Sequence, residues 1–281
     1  MSKLDIFQGT SEKPVVYRQK LSNPRTGTSL YHVTLHFSNS DVLASGTDAD
    51  ENLAINKACS EAVERIFYNK NNRTSVMRFD ELNSTSCMAA GFDLRKTVQR
   101  SNNECAERYL KLLISDGKIA PLPLVIQDVE SLGLSDYFEK TEAYYLKVSY
   151  QDYSGYFKNR FFVLCLCWLD NIFVTGSSVN GTIKAATDHS LVEAKRNLTI
   201  VNSLKMPPYN NFKNKYYIKI QELSTNGKEA SKFLRKDKPG LEEVILPQIY
   251  WQQYVHFMGA YVCRSFVQGY LSALENQREL F

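Results

Sequence analysis

Asn83-Ser84-Thr85-Ser86-Cys87-Met88-Ala89-Ala90-Gly91, followed at helical distance by Glu104-Cys105-Ala106-Glu107-Arg108, is the stretch on which the reading of this chain turns. Small residues close on a glycine turn, and a helix is expected from Asp93 through Leu113, with Asp93 as its N-cap and two acids in its C-terminal half. A helix turns roughly 100° per residue, so i and i+3 lie about 60° apart and share a face. Glu104 and Glu107 therefore point the same way.

The pattern recurs. Upstream, Ala44-Ser45-Gly46 leads into a helix expected from Thr47 through Phe67, where Thr47 with Asp50 resembles a capping box and Glu61-Ala62-Val63-Glu64-Arg65 lies at the same depth. Downstream, Thr175-Gly176-Ser177-Ser178 leads into a helix from Thr182 through Asn197 carrying Glu193-Ala194-Lys195-Arg196. One Glu-x-x-Glu-Arg alone usually marks a solvated helix face with local ion pairs. Its repetition at one offset from a small-residue turn is not what surface decoration produces. Two such helices facing each other would bring Glu61, Glu64, Glu104 and Glu107 into one cluster. Hard oxygen donors suit magnesium, which completes its shell with water or substrate phosphates. Transfer of a phosphoryl group from ATP also needs cations on the phosphates, a role Arg65 and Arg108 can supply.

Strands are expected at Leu30–Phe37, Val42–Ala44, Leu122–Asp128, Ala143–Tyr150, Phe161–Leu169, Ile172–Thr175 and Lys215–Glu222. The polar run Gln99–Asn103 suggests a helix poorly covered by its neighbours or beside a cleft. Residues 247–275, apolar and aromatic, read as a closing helix or helix pair. Residues 1–20 read as a flexible N-terminus and 21–281 as one domain, with units at about 25–70, 80–120 and 143–203. The fold class is α+β, an α/β sandwich of repeated strand–helix units around a shared centre.

The 281 residues are 43% hydrophobic, enough for a substantial core, and the net charge of +4 does not by itself imply a nucleic-acid surface. Six cysteines form no Cys-x-x-Cys pair and read as buried reduced thiols. Cys165 and Cys167 alternate on one side of a strand. The N-terminus lacks a signal-peptide core, and no run of about 18 apolar residues could span a membrane. A cytoplasmic location with no membrane partner is expected. His32, His36, His189 and His256 are scattered and read as core or surface imidazoles.

Together the second unit's Ala-Ala-Gly and Glu-x-x-Glu-Arg resemble the YcaO family, whose pattern is Asn-Ser-x-Gly-x-Ala-Ala-Gly and then a helix ending Glu-x-x-Glu-Arg-Asp. Arg25-Thr26-Gly27 and Ala44-Ser45-Gly46 match its first unit and Gly176-Ser177-Ser178 its third, so the likeness covers residues 20–205. The resemblance implies a central nucleotide site, with magnesium on Glu61, Glu64, Glu104 and Glu107 and with Ser84, Arg65 and Arg108 toward ATP. It implies ATP-dependent phosphorylation of a peptide amide oxygen, giving azolines or thioamides in ribosomally made peptides. The implied partners are a precursor peptide and a leader-binding subunit, resembling ubiquitin-activating enzymes or of the TfuA type. Lys96, Ser86 and Tyr109 depart from the pattern. Lys96, where the family often has an acid, would either replace one metal's charge or mark a degenerate scaffold or substrate-binding subunit without ATP chemistry. Residues 14–68 also outline a double-stranded-RNA-binding module, but Asp48, Asp50 and Glu51 stand where such a module needs cations.

Overall fold

The computed structural model describes residues 3–8, 13–22, 27, 29–38, 42–72, 87–115, 118–152, 154–170, 172–204 and 241–267. Ser84, Arg25 and the strand expected at 215–222 lie outside them. Among the described residues, eleven strands and three long helices follow one another as β1 (Val15–Ser22), β2 (Ser29–Phe37), β3 (Val42–Asp48), α1 (Glu51–Asn72), β4 (Met88–Gly91), α2 (Leu94–Ser115), β5 (Leu122–Leu124), β6 (Lys140–Gln151), β7 (Phe157–Leu169), β8 (Ile172–Asn180), α3 (Ile183–Leu204), β9 (Glu243–Ile245), β10 (Ile249–Phe257) and β11 (Ala260–Val267). The α+β class is as expected.

The strands form three sheets, in the orders β1-β2-β3, β10-β11-β4 and β5-β6-β7-β8. β9 joins β6 in parallel, beyond β5 on the same edge. Alternation along β7 explains its apolar run. Phe162, Leu164 and Leu166 pack with α2 residues Cys105, Ala106 and Leu110, while Val163, Cys165 and Cys167 pack with α3 residues Ala186, Leu191 and Ala194. A strand buried on both faces has no polar face to show. α1 covers the first sheet through Ala54, Ala58, Ala62 and Val63, beside Met88 and Ala90 of β4.

Two glycines let helices lie directly on strands. A Cβ at Gly46 would come 2.1 Å from the Ala54 carbonyl oxygen, and one at Gly176 would come 1.9 Å from that of Ser190. The small-residue stretches are therefore strand segments under a helix, not the turns expected. The capping box is corrected too. Thr47 belongs to β3, and Asp50 caps α1 by accepting the Leu53 N–H at 2.9 Å. Asp93 and Thr182 cap α2 and α3 through the Lys96 N–H at 3.0 Å and the Ala185 N–H at 3.1 Å.

Three further expectations are corrected. Residues 249–267 are not helix but an antiparallel hairpin turning at Met258 and Gly259, with φ of 51° and 73°. Positive φ at both central residues is what a tight hairpin turn requires, and Ile249, Val255, Phe257, Tyr261, Val262 and Val267 are strand formers. Residues 268–275 lie outside the described residues. Within 1–20, Lys3–Phe7 forms a short 3-10 turn whose Phe7 is 1% exposed against Phe37, and β1 pairs with β2 along its length. Residues 15–20 are thus built into the first sheet. The polar run in α2 is corrected in part: Gln99 and Arg100 are exposed, but Ser101 and Asn102 are buried, with Ser101 Oγ 2.8 Å from both the Cys87 carbonyl and Ser265 Oγ, and Ser265 Oγ 2.6 Å from Asn102 Oδ1. No helix among the described residues is long and apolar enough to cross a membrane.

Candidate functional site: a ring of helix glutamates

Each unit closes the same hydrogen bond. In β3 the Ser45 N–H donates to Glu61 Oε2 at 2.7 Å. Ahead of β4 the Cys87 N–H donates to Glu104 Oε1 at 3.2 Å, and in β8 the Ser177 N–H donates to Glu193 Oε2 at 2.8 Å. The separations are 16, 17 and 16 residues. The extra residue falls where Cys87 adopts φ 62°, a left-handed conformation that re-aims the amide before the strand begins. All three helices are 22 residues long, and the bonded glutamate is the eleventh residue of each. An arginine follows one turn on: Arg65 is 2.6 Å from Glu61, Arg108 is 3.9 Å from Glu104 and Arg196 is 3.7 Å from Glu193.

The units close into a ring, since α1 touches β4, α2 touches β8 and α3 touches β3. Ser177 Oγ of the third unit donates to Glu107 Oε1 of the second at 2.7 Å, and Lys111 lies 3.0 Å from the same oxygen. The charges respond to one another across the seams. The Glu64 carboxyl is pushed well above the usual range by burial, then by the charges of Glu104 and Glu61, against the pull of Arg100 and Arg65. Burial likewise pushes Glu104 up to about 7; Glu107 adds to the rise, while Arg108, the Cys87 N–H and Arg100 oppose it. Glu104 still keeps 31% of its side chain accessible, so it faces solvent as well as its neighbours. Burial works against the Arg108 charge, but Glu104, Glu107 and Glu193 outweigh it and hold the guanidinium firmly protonated.

Glu61, Glu64, Glu104 and Glu107 thus share one electrostatic neighbourhood with Arg65 and Arg108. The first and second units feel each other's charge there. Among the described residues Glu64 has no hydrogen bond or ion pair, and Arg108 Nε is buried without an acceptor. No three acidic, histidine or cysteine side chains among the described residues stand close enough to cage a metal. The donors fit magnesium in another way, because that ion binds through one or two carboxylates and completes its shell with waters and phosphates.

Sequence reasoning placed Glu193 in the third copy of the repeat without giving it a site role, and it did not single out Arg100. The signal for Glu193 was its depth in α3. Lys96, expected near the acids, is exposed on the first turns of α2, and Arg100 one turn further in is the cation that acts on Glu64 and Glu104. His32 is a structural imidazole, with Nδ1 2.8 Å from Thr47 Oγ1 and Nε2 3.2 Å from Thr34 Oγ1. Burial and then Arg196 hold its pKa down, against Glu61.

No protein-family model and no curated protein matches the sequence. Solved structures do. YcaO from Methanopyrus kandleri, bound with AMPPCP and Mg2+, aligns with TM-score 0.60 at 12% identity, over 94% of this chain and 87% of that one. The chain has a YcaO-like fold. A chain of the E. coli microcin synthetase McbBCD complex with pro-MccB17 bound aligns equally well, with TM-score 0.60 and 12% identity over 89% of this chain and 86% of that one. A heterocyclase in complex with substrate and cofactor aligns at TM-score 0.50 and 11% identity, over 96% of this chain and 52% of that one.

Proposed function

We propose that the chain binds Mg-ATP at the centre of the glutamate ring and activates a peptide backbone amide during maturation of a ribosomally made peptide, as one subunit of a synthetase complex. The observation that carries this reading is Glu64, an acid without a protein partner among the described residues, beside Glu61 and Glu104. Three acids in one neighbourhood repel one another, and a divalent cation removes that repulsion. Glu64 and Glu104 would hold magnesium, with Glu61 and Glu107 beside them. Bound magnesium would neutralise phosphate charge as a phosphoryl group moves to the amide oxygen.

The chain's own residues do the positioning. The Ser45 and Cys87 amides fix one oxygen of Glu61 and of Glu104, so those acids need little reorganisation when a ligand arrives. Arg108 keeps its charge among Glu104, Glu107 and Glu193. Arg65 flanks the same acids from α1. Ser84, assigned to the nucleotide by resemblance, belongs to the proposal without a structural account. The solved neighbours support the reading by what they carry: AMPPCP with Mg2+ in one, pro-MccB17 in another, substrate and cofactor in a third. The products in view are azoline, thioamide or amidine, and the partners a precursor peptide and a leader-binding subunit, ubiquitin-activating-enzyme-like or TfuA-type, in the cytoplasm.

A second reading, a YcaO-like scaffold or substrate-binding subunit without ATP chemistry, is favoured by the ion pairs that already answer Glu61, Glu104, Glu107 and Glu193. Phosphate release from Mg-ATP separates the two, measured with precursor peptides encoded near the chain's gene and with and without co-encoded proteins. Release that requires peptide and disappears in Glu64→Gln supports the enzyme. Absence of nucleotide binding under every combination supports the scaffold.

A further inference from the structure

The three units treat one helix position in three different ways. Glu64, Glu107 and Arg196 are the fourteenth residues of α1, α2 and α3, each three residues past its unit's bonded glutamate and so on the same helix face. In α1 the acid has no hydrogen bond or ion pair among the described residues. In α2 the acid is answered twice at one oxygen. Ser177 Oγ of the third unit donates to Glu107 Oε1 at 2.7 Å, and Lys111 Nζ, one turn on in α2, lies 3.0 Å from the same atom. In α3 the position is itself a cation, Arg196, 3.7 Å from Glu193. The Lys111–Glu107 pair is also more enclosed than the pair beside it. Lys111 keeps 12% and Glu107 13% of its side chain accessible, against 35% and 31% for Arg108 and Glu104. The residue at the depth of Lys111 in α1 is Tyr68, which packs toward the core of the first sheet and brings no charge to Glu64.

We propose, resting on the Mg-ATP reading for the ion at Glu64, that the Lys111 ammonium is a resident cation standing in for a metal at Glu107, so that the ring takes a single divalent ion. Two donors already fill the lone pairs of Glu107 Oε1. A metal brought to this carboxylate would have to displace Ser177 and Lys111, or sit against an ammonium held 3.0 Å from the oxygen. The enclosure of both side chains leaves Lys111 little room to swing away. An ammonium is a compact point charge with three donors, and it neutralises an acid without offering a coordination position to anything else. A divalent ion keeps such positions open for water or phosphate oxygens. The two halves of the ring therefore differ in kind. The α1 half needs a cation from outside and gains one that can hold a ligand. The α2 half carries its own cation, and that cation also ties β8 to α2 through the shared oxygen.

The test counts ions. Mn2+, which suits the same carboxylate and water oxygens as magnesium, is titrated into the full chain without nucleotide, and the free ion is read from its paramagnetic resonance signal. Wild type should bind one ion per chain, and Glu64→Gln should bind none. Lys111→Gln keeps a donor for Glu107 but no charge, and should bind one ion more than wild type. Adding Glu107→Gln to that variant should remove the extra ion. Lys111→Arg keeps the charge and should match wild type. Thermal melting in metal-free buffer selects variants that retain the fold, and Lys111→Met replaces the glutamine variant if that one does not. The proposal is overturned if the folded, uncharged Lys111 variant binds no more ions than wild type, or if Glu107→Gln by itself loses an ion that wild type binds. Failure of the Mg-ATP reading has a different signature, a wild type that binds no ion, and the gain on removing the Lys111 charge is read independently of it.

Discussion

Glu104→Gln should change how the stability of this chain depends on pH. In the folded protein Glu104 titrates at about 7, above the ordinary carboxyl value of 4.5, chiefly because burial disfavours its charged form. The folded state therefore keeps a proton that the unfolded chain gives up. The stability this contributes is fully present below about 4.5, declines as pH rises, and is gone above about 7. Each tenfold change in proton affinity is worth about 1.4 kcal/mol, so a fully enclosed carboxyl would contribute about 3 kcal/mol. Glu104 keeps 31% of its side chain exposed, and screening reduces the expected figure to about 1.5 kcal/mol. Glu64, raised in the same direction, adds a decline of the same sign. Urea unfolding in EDTA at closely spaced pH values from about 5.5 to about 8, a window that brackets the Glu104 titration, measures this. Wild type should lose about 1 kcal/mol relative to Glu104→Gln across that range, the part of the decline that falls above about pH 5.5, since the amide can still accept the Cys87 N–H but does not ionise. Parallel curves for the two proteins would refute a raised carboxyl at this position.

Three other perturbations follow from particular contacts. Gly176→Ala should destabilise by about 3 kcal/mol or more, because its Cβ would come 1.9 Å from the Ser190 carbonyl oxygen, while Gly181→Ala, with nothing within 4 Å, should be close to neutral in the same urea assay. Ser177→Ala removes the hydroxyl that ties β8 to Glu107 and should cost about 1 kcal/mol, measured by thermal unfolding. Arg108→Gln withdraws the charge that does most to lower the Glu104 pKa, so carboxyl-detected NMR titration should find Glu104 above its wild-type value.

The repeat was legible because it is written in residues that have one use. Gly46 and Gly176 permit helix backbone to touch strand backbone, and Glu61 and Glu104 sit at one depth because each answers a backbone amide in or just ahead of its unit's strand. The α+β class and the three helices followed from that. The hairpin at 249–267 was not legible as one. Its aromatic residues are dense enough to satisfy a helical spacing, and Met258-Gly259 lacks the Asn-Gly or Asp-Gly signature of a tight turn. Half of the polar run in α2 misled for a similar reason. Composition shows that Ser101 and Asn102 are polar, but their partner Ser265 lies far along the chain. Spacing picked out four acids as candidates but not their unequal state, in which Glu64 alone of the four lacks a partner among the described residues. That depends on where Arg65, Arg108 and Lys111 reach once the helices pack.

Calorimetric titration of the purified chain with Mg-AMPPCP, comparing wild type with Glu64→Gln and Glu104→Gln and with presumed partner subunits present and absent, tests most directly whether the glutamate ring is a nucleotide–metal site. Wild type should bind with a magnesium requirement, and each substitution should weaken binding at least tenfold while leaving the chain folded. Magnesium-independent binding, or equal affinity in all three proteins, would mean that these carboxylates do not hold the metal.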